Sequence, residues 1–164
     1  MTKPLVALVI VGAIAGGGCG GSPDGASESL QTGVYEWELS DEYLIDHGIP
    51  SERAVKESGH QEITLWEDGT FHAAWRTADN STGSCRGTYD EGDDRLVTFT
   101  WTSGCFGDWE MTYAVDGDTV TWRDQKALPP YDSDDDQNTT KAYNDVPWTR
   151  VGDAPSEGQE QEER

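Results

Sequence analysis

Seven stretches of this chain alternate apolar and polar residues with a period of two, the repeat of a strand with one buried and one wetted face. In Val34–Leu39 the residues Tyr35, Trp37 and Leu39 share one face, with Glu36 and Glu38 on the other. Gln61–Glu67 turns Ile63 and Leu65 inward. After the turn Glu67-Asp68-Gly69, Thr70–Thr77 sets Phe71, Ala73 and Trp75 against His72, Ala74 and Arg76. Ser84–Asp90 carries Cys85, Gly87 and Tyr89, and Arg95–Thr102 carries Val97, Phe99 and Trp101. Asp108–Val115 gives Trp109, Met111, Tyr113 and Val115, and past the hairpin turn Asp116-Gly117-Asp118, Thr119–Gln125 gives Val120 and Trp122. A short strand at Val146–Val151 brings the expected count to eight. Strands with one apolar face, joined mostly by tight turns, form an antiparallel meander, and eight of them can close and so remove the exposed edges. The expected fold is all-β, an eight-stranded antiparallel up-and-down barrel. A two-sheet β-sandwich is the alternative.

Two insertions break the rhythm. Between the first two strands, Asp41–His47 reads as a short helix capped by Ser40 or Asp41 and stopped by Gly48, and Ser51–Ser58 as a further turn or two. Between the last two strands, Ala127–Asp145 is too long and polar for a plain turn and reads as a solvated loop. Its Asp132, Asp134, Asp136 and Asn138 are spaced like the start of a calcium loop. The match fails where Gln137 stands for the required Gly and Tyr143 for the bidentate Glu.

Only 34 % of the 164 residues are apolar, but seven Trp, six Tyr and three Phe supply the large buried areas that a core needs. The net charge of −21 repels phosphate backbones and so argues against nucleic acid as a partner. The Gly/Ser/Asp-rich residues 19–32 read as a flexible tether and the acidic residues 152–164 as a disordered tail, leaving 33–151 as one folded domain.

Residues 1–18 read as an export signal, with Lys3 before the apolar run Leu5 to Ala15, which is too short to span a bilayer. The following Gly16-Gly17-Gly18-Cys19 resembles a bacterial lipobox, although Gly16 stands where Leu is usual. That resemblance implies a mature chain that begins at a lipid-modified Cys19, held at the cell membrane and facing outside the cytoplasm. Cleavage after Ala13-Ile14-Ala15 would instead release a secreted protein. With Cys19 acylated, the odd count of three cysteines leaves Cys85 and Cys105 as a disulfide pair in an oxidising compartment. Metal ligation by these two thiols is the alternative, but it lacks a C-x-x-C spacing or a nearby His. Hairpin register about Asp93 puts Cys85 opposite residue 100 or 101, so the bridge requires the Ser103–Asp108 loop to fold back over the fourth strand.

The domain is similar to the lipocalins and the wider calycin group, and to lipocalin-like modules of bacterial surface lipoproteins. Lipocalins open the first strand with Gly-x-Trp, where this chain has Gly33-Val34-Tyr35 and then Trp37. They end on an Arg that packs across that Trp, a place Trp148-Thr149-Arg150 can fill, and their first connection is a long lid, as Ser40–His60 would be. The resemblance implies that Arg150 lies over Tyr35 or Trp37 and closes the barrel.

No chemistry of catalysis is legible. There is no Ser nucleophile elbow, and His47, His60 and His72 lack metal-ligand spacing and read as surface residues, His72 on the wet face of the third strand. No metal, cofactor or enzymatic activity is expected. The inward aromatic residues remain. Trp37, Trp75, Trp101, Trp109, Tyr113 and Trp122 either line an apolar pocket or fill a barrel interior just wide enough for side chains. No inward charge occurs among them, so a charged ligand would find no counter-ion. Two functions stay open. One is a membrane-anchored, non-catalytic binding module for a small apolar or aromatic ligand. The other is a monomeric surface module with a filled core that meets a protein partner.

Overall fold

The computed structural model describes residues 29–105 and 107–156; the leader, Cys19 and the chain beyond 156 lie outside them. Eight antiparallel strands close into one up-and-down barrel in sequence order. They are β1 Gly33–Leu39, β2 Gly59–Leu65, β3 Thr70–Thr77, β4 Thr82–Glu91, β5 Leu96–Ser103, β6 Trp109–Asp116, β7 Thr119–Ala127 and β8 Trp148–Gly152. Each connects to its neighbour along the chain, and β8 returns beside β1 with Tyr35 opposite Arg150. Closure follows from the alternation: every strand has a face to bury, and a barrel buries all of them while leaving no edge unpaired.

The interior is tightly filled at one end. Tyr35, Leu65, Phe71, Val97, Phe99, Met111 and Val120 are almost wholly buried there. Rings meet edge to face, as Phe71 does with Phe99 at 5.3 Å and Phe99 with Trp122 at 5.7 Å, which suits the aromatic quadrupole. Leu30, from the stretch expected to be a tether, joins this core, and its backbone N–H donates to the Tyr113 hydroxyl. The segment after β8 is held too. Trp66 Nε1 donates to the Pro155 carbonyl, and Tyr89 donates its hydroxyl to the Trp66 carbonyl. The folded unit therefore reaches beyond 33–151 on both sides. One apolar residue in a polar tether and one indole donor suffice to dock segments whose composition reads as loose.

The other end is roofed by helices. Helix α1, Asp41–Asp46, begins where the Ser40 hydroxyl accepts the Tyr43 N–H, and α2, Ser51–Glu57, follows after a short connection. A third helix, α3 (Asp134–Asn144), replaces the solvated loop expected at Ala127–Asp145. Ser133 and Asp136 form a reciprocal capping box, and three aspartates in the first turn favour the positive helix end. Residues two apart on a helix point about 200° away from each other, so Asp134, Asp136 and Asn138 cannot converge on one calcium ion. Leu39, Leu44, Ile49, Ala54 and Ala142 pack together as a second small core that fixes the roof to the barrel rim.

His72 departs from the surface position expected for it. It faces outward between Thr64 and Arg86 on the neighbouring strands, yet it is buried, as Thr64 is. Alternation along one strand reports only which face a residue takes. It does not report how deeply that face is buried.

Candidate functional site

Between the filled end and the helical roof the barrel holds a cavity of about 430 Å³. Its existence traces to residue size. Strand β3 brings Ala73 and Trp75 inward, and β4 faces them with Gly83, Cys85 and Gly87, where other strands carry rings. The Trp75 indole lies against the Gly83 backbone so closely that an added Cβ would stand 2.2 Å from the ring. Phe71 presses on Gly87 in the same way, at 2.6 Å. These two glycines let β3 rings lie flat against β4, and space opens over them toward the mouth.

Four of the six tryptophan and tyrosine positions expected to meet a ligand line this cavity: Trp37, Trp75, Trp101 and Trp109. Trp101 and Trp109 meet edge to face at 5.1 Å, and Trp101 continues to Phe71 at 4.8 Å. The other two do not line it. Tyr113 sits at the filled end, where its hydroxyl accepts from Leu30 and donates to Glu91. Burial, then the Glu91 carboxylate, pushes its phenol up to about 12. Trp122 is wedged among Phe99, Tyr113 and Trp148 and is part of the core.

Two aromatic lining residues were not among those expected. Trp148, at the start of β8, stacks on Trp37 with ring centres 4.5 Å apart and planes 12° from parallel. It also meets Tyr35, Phe99 and Trp122, and so forms the base of the cavity wall. Tyr143 comes down from α3. Its phenol is held far above the usual range by burial first and by the Glu57 carboxylate second. The only available signals were the Trp in a short terminal run and a Tyr in a polar insertion, both weak.

The rim carries charge that the inward faces of the strands lack. Arg53, Lys56 and Glu57 of α2 border the cavity. Arg53 Nε donates to Glu57 Oε1 at 2.6 Å, and its Nη1 reaches Asp135 of α3 at 3.4 Å, so one guanidinium ties two roof helices together. Lys56 is exposed and has no ion-pair partner among the described residues. The expectation that a charged group would find no counter-ion fails at the mouth, where α2 supplies Arg53, Lys56 and Glu57 and β2 adds Glu62.

Cys85 and Cys105 form the expected disulfide pair, Cα atoms 5.5 Å apart. The route differs from the fold-back anticipated. Gly87 pairs with Trp101, but a bulge shifts the register so that Arg86 pairs with Ser103, which carries the chain past Cys85 early. Gly104, at φ +84°, then crosses the Ser84 carbonyl where an added Cβ would approach it to 2.4 Å. Cys105 thereby becomes part of the cavity wall.

At the seam, Arg150 does stand opposite Tyr35. Its Nε donates to the Thr32 carbonyl at 3.0 Å and its Nη2 to Asp153, and the guanidinium lies across Gly33. The rings of Tyr35 and Trp37 are met by Trp148. Closure at this point is thus shared between an aromatic stack inside and an arginine clamp on the segments that flank β1 and β8. No protein-family model matches the chain, and no curated protein and no solved structure resembles it significantly.

Proposed function

We propose that this protein is a non-catalytic binding module, a lipocalin-like barrel that holds a small molecule with an apolar or aromatic body in its mouth. The observation that carries the reading is the aromatic-walled cavity of about 430 Å³ under a helical roof. That volume lies within the range of small-ligand pockets, and such pockets are mostly apolar with a few placed polar groups. Here Trp37, Trp75, Trp101 and Trp109 supply the apolar wall, while Arg53, Lys56 and Glu57 supply the polar edge. A ligand with an apolar body and a polar end at the rim suits that division. The export signal and the Gly18-Cys19 junction support an extracytoplasmic lipoprotein tethered through Cys19.

Tryptophan fluorescence tests the reading directly, because five indoles border the cavity. Titration with a panel of apolar and aromatic small molecules should give a saturable change for at least one class. Trp75→Ala or Trp101→Ala should weaken that binding while Arg123→Ala, exposed on β7, leaves it intact. A flat response across the panel would turn the assignment to a surface module that meets a protein partner. Cys19→Ala should release the protein from the membrane fraction, or leave it unprocessed. A mature chain lacking acyl mass would refute the anchor.

A further inference from the structure

We propose that Glu36, His60 and Glu62 form a site for one divalent transition-metal cation of the zinc type on the outer wall of the barrel, with Glu38 orienting the imidazole. The site lies on the outer face of the strand pair, where Glu62 also borders the cavity, and it does not depend on the binding function proposed above.

The residues are brought together by register alone. Strands β1 and β2 pair with Glu36 opposite Glu62 and Glu38 opposite His60. Tyr35 and Trp37 point inward, so by alternation all four of these side chains stand on the outer face. One ligand atom from each of Glu36, His60 and Glu62 lies within 4.8 Å of the other two. Zinc-type ions hold nitrogen and oxygen at about 2.0–2.2 Å, so tetrahedral ligand atoms sit about 3.4 Å apart. Small rotamer changes on half-exposed side chains close that gap.

Glu38 gives the imidazole its direction. Its Oε1 lies 2.9 Å from His60 Nδ1 and takes that N–H, which leaves Nε2 as the acceptor. Nε2 then faces Glu36 Oε1 at 3.8 Å. A carboxylate on the remote ring nitrogen is the usual support of a metal-bound histidine, fixing its tautomer and raising its basicity. In a neutral imidazole the arrangement places a lone pair against a carboxylate, with a second carboxylate directly across the strand pair. Like charges directly opposite one another are destabilising. A cation at the centre removes both conflicts.

The surroundings fit an ion's entry. His60 and Glu62 border an open groove with Thr82, Gly83 and Ser84, which leaves room for water at a fourth position. The chain's net charge of −21 raises the local concentration of cations. The ligands sit on strands of a closed barrel and so are held in place by the fold. One nitrogen and two carboxylates suit zinc, cobalt or nickel, whereas calcium and magnesium take six or more oxygens. The competing arrangement is an imidazolium clamped by Glu36, Glu38 and Glu62, with Arg76 across from His60 on β3.

The test uses the full chain with Cys19→Ser, so that no free thiol competes, stripped of metal with a chelator. Zinc is titrated by calorimetry and cobalt by its visible absorption. One ion per chain should bind, and zinc should raise the melting temperature while calcium and magnesium at the same concentration should not. His60→Ala and Glu62→Gln should abolish both effects. Glu38→Gln should weaken binding about ten- to a hundredfold without removing a ligand. Far-ultraviolet circular dichroism of each variant separates a lost site from a lost fold, and Glu36→Gln provides a further, near-isosteric ligand change. Binding that survives His60→Ala, that is lost instead with Asp134→Asn and Asp136→Asn, or that appears only at millimolar metal would overturn the proposal. A melting temperature indifferent to zinc but lowered by His60→Ala would assign the cluster to a hydrogen-bonded clamp on the ring and overturn it equally.

Discussion

The two ends of one barrel are built by the same eight strands on opposite plans. Toward the filled end the inward positions are Tyr35, Leu65, Phe71, Val97, Phe99, Met111 and Val120, with Leu30 closing over them. Toward the mouth they become Trp37, Ala73, Trp75, Gly83, Cys85, Trp101 and Trp109, where large rings alternate with the smallest residues. Uniformly large residues interlock and exclude every other molecule. Rings set among Ala, Gly and Cys fill less of the interior, so they leave a walled space. The difference gives one end a packed core and the other the space that the proposed binding function needs, and it can be broken residue by residue.

The largest contrast should come from removing a ring at each end. Phe99 touches Phe71, Tyr89, Trp122 and Trp148 and is almost wholly buried. Phe99→Ala should cost about 3–5 kcal/mol, the toll of deleting a packed aromatic. Trp101→Ala should cost clearly less in chemical denaturation, because its ring already borders open space, and should act mainly on ligand-dependent fluorescence. Equal losses of stability would mean that the mouth is core after all.

The disulfide comes next. It closes a separation of 20 residues at the mouth, worth about 3 kcal/mol in the chain-entropy model. The double variant Cys85→Ala, Cys105→Ala should lose stability of that order. It should also broaden the response of Trp101 and Trp109, since Cys105 shares their cavity wall. Hydrogen exchange should then quicken in β4 and β5 while the strands around Leu30 keep their protection. A uniform increase would show that the two ends unfold as one unit.

How much of this contrast could be read beforehand follows from what alternation encodes. A strand that buries one face announces itself, and the seven clear runs and the barrel they form were legible for that reason. Helix α1 was legible through the Ser40 cap and the Gly48 stop. Helix α3 was not, because the residues it buries are Thr140, Ala142 and Asn144, which give a hydropathy pattern nothing to register. The cavity walls were half legible. Trp37, Trp75, Trp101 and Trp109 lie on strands whose inward face is plain, but whether they meet or stand apart depends on what faces them across the barrel. The docking of Leu30 and the charged rim from α2 depend on chain folding back from a distance, and the depth at which His72 sits is not encoded in the alternation of its own strand. The bulge at Arg86–Gly87, which sets the disulfide register, carries no composition signal of its own.

A finer probe adds volume instead of removing it. Ala73 lines the cavity, so Ala73→Leu should be accommodated at under about 1.5 kcal/mol and should block ligand binding by occupying the space. Val97 is completely buried at the filled end, and Val97→Leu should cost about 1–3 kcal/mol through overpacking. Thermal denaturation of the pair checks the order. If Ala73→Leu proves the more damaging, the cavity is smaller in solution than its walls imply.

The smallest effect expected lies where the filled end is tied to the segments flanking β1 and β8. Arg150 donates to the Thr32 carbonyl and to Asp153 while its guanidinium crosses Gly33, so it clamps the segment carrying Leu30 and the segment carrying Pro155 at one seam. Gly33 holds φ +147°, and a side chain there would strike both the guanidinium and the Gly152 carbonyl at 2.6 Å. The planar fork is what fits in that space. Lys keeps the charge but is a point donor on a flexible stem and cannot serve both acceptors in one plane. Arg150→Lys should therefore cost about 1 kcal/mol, the net worth of a lost hydrogen bond. Arg123→Lys, exposed on β7, should stay within about 0.5 kcal/mol of the parent. The loss should appear as faster exchange at the Leu30 amide, which is bonded to Tyr113 behind the clamp, with ligand binding at the mouth unchanged. A change in binding without a change at Leu30 would show that the seam communicates with the cavity through Trp148, two residues from Arg150 and stacked on Trp37, and the two ends would then have to be treated as coupled.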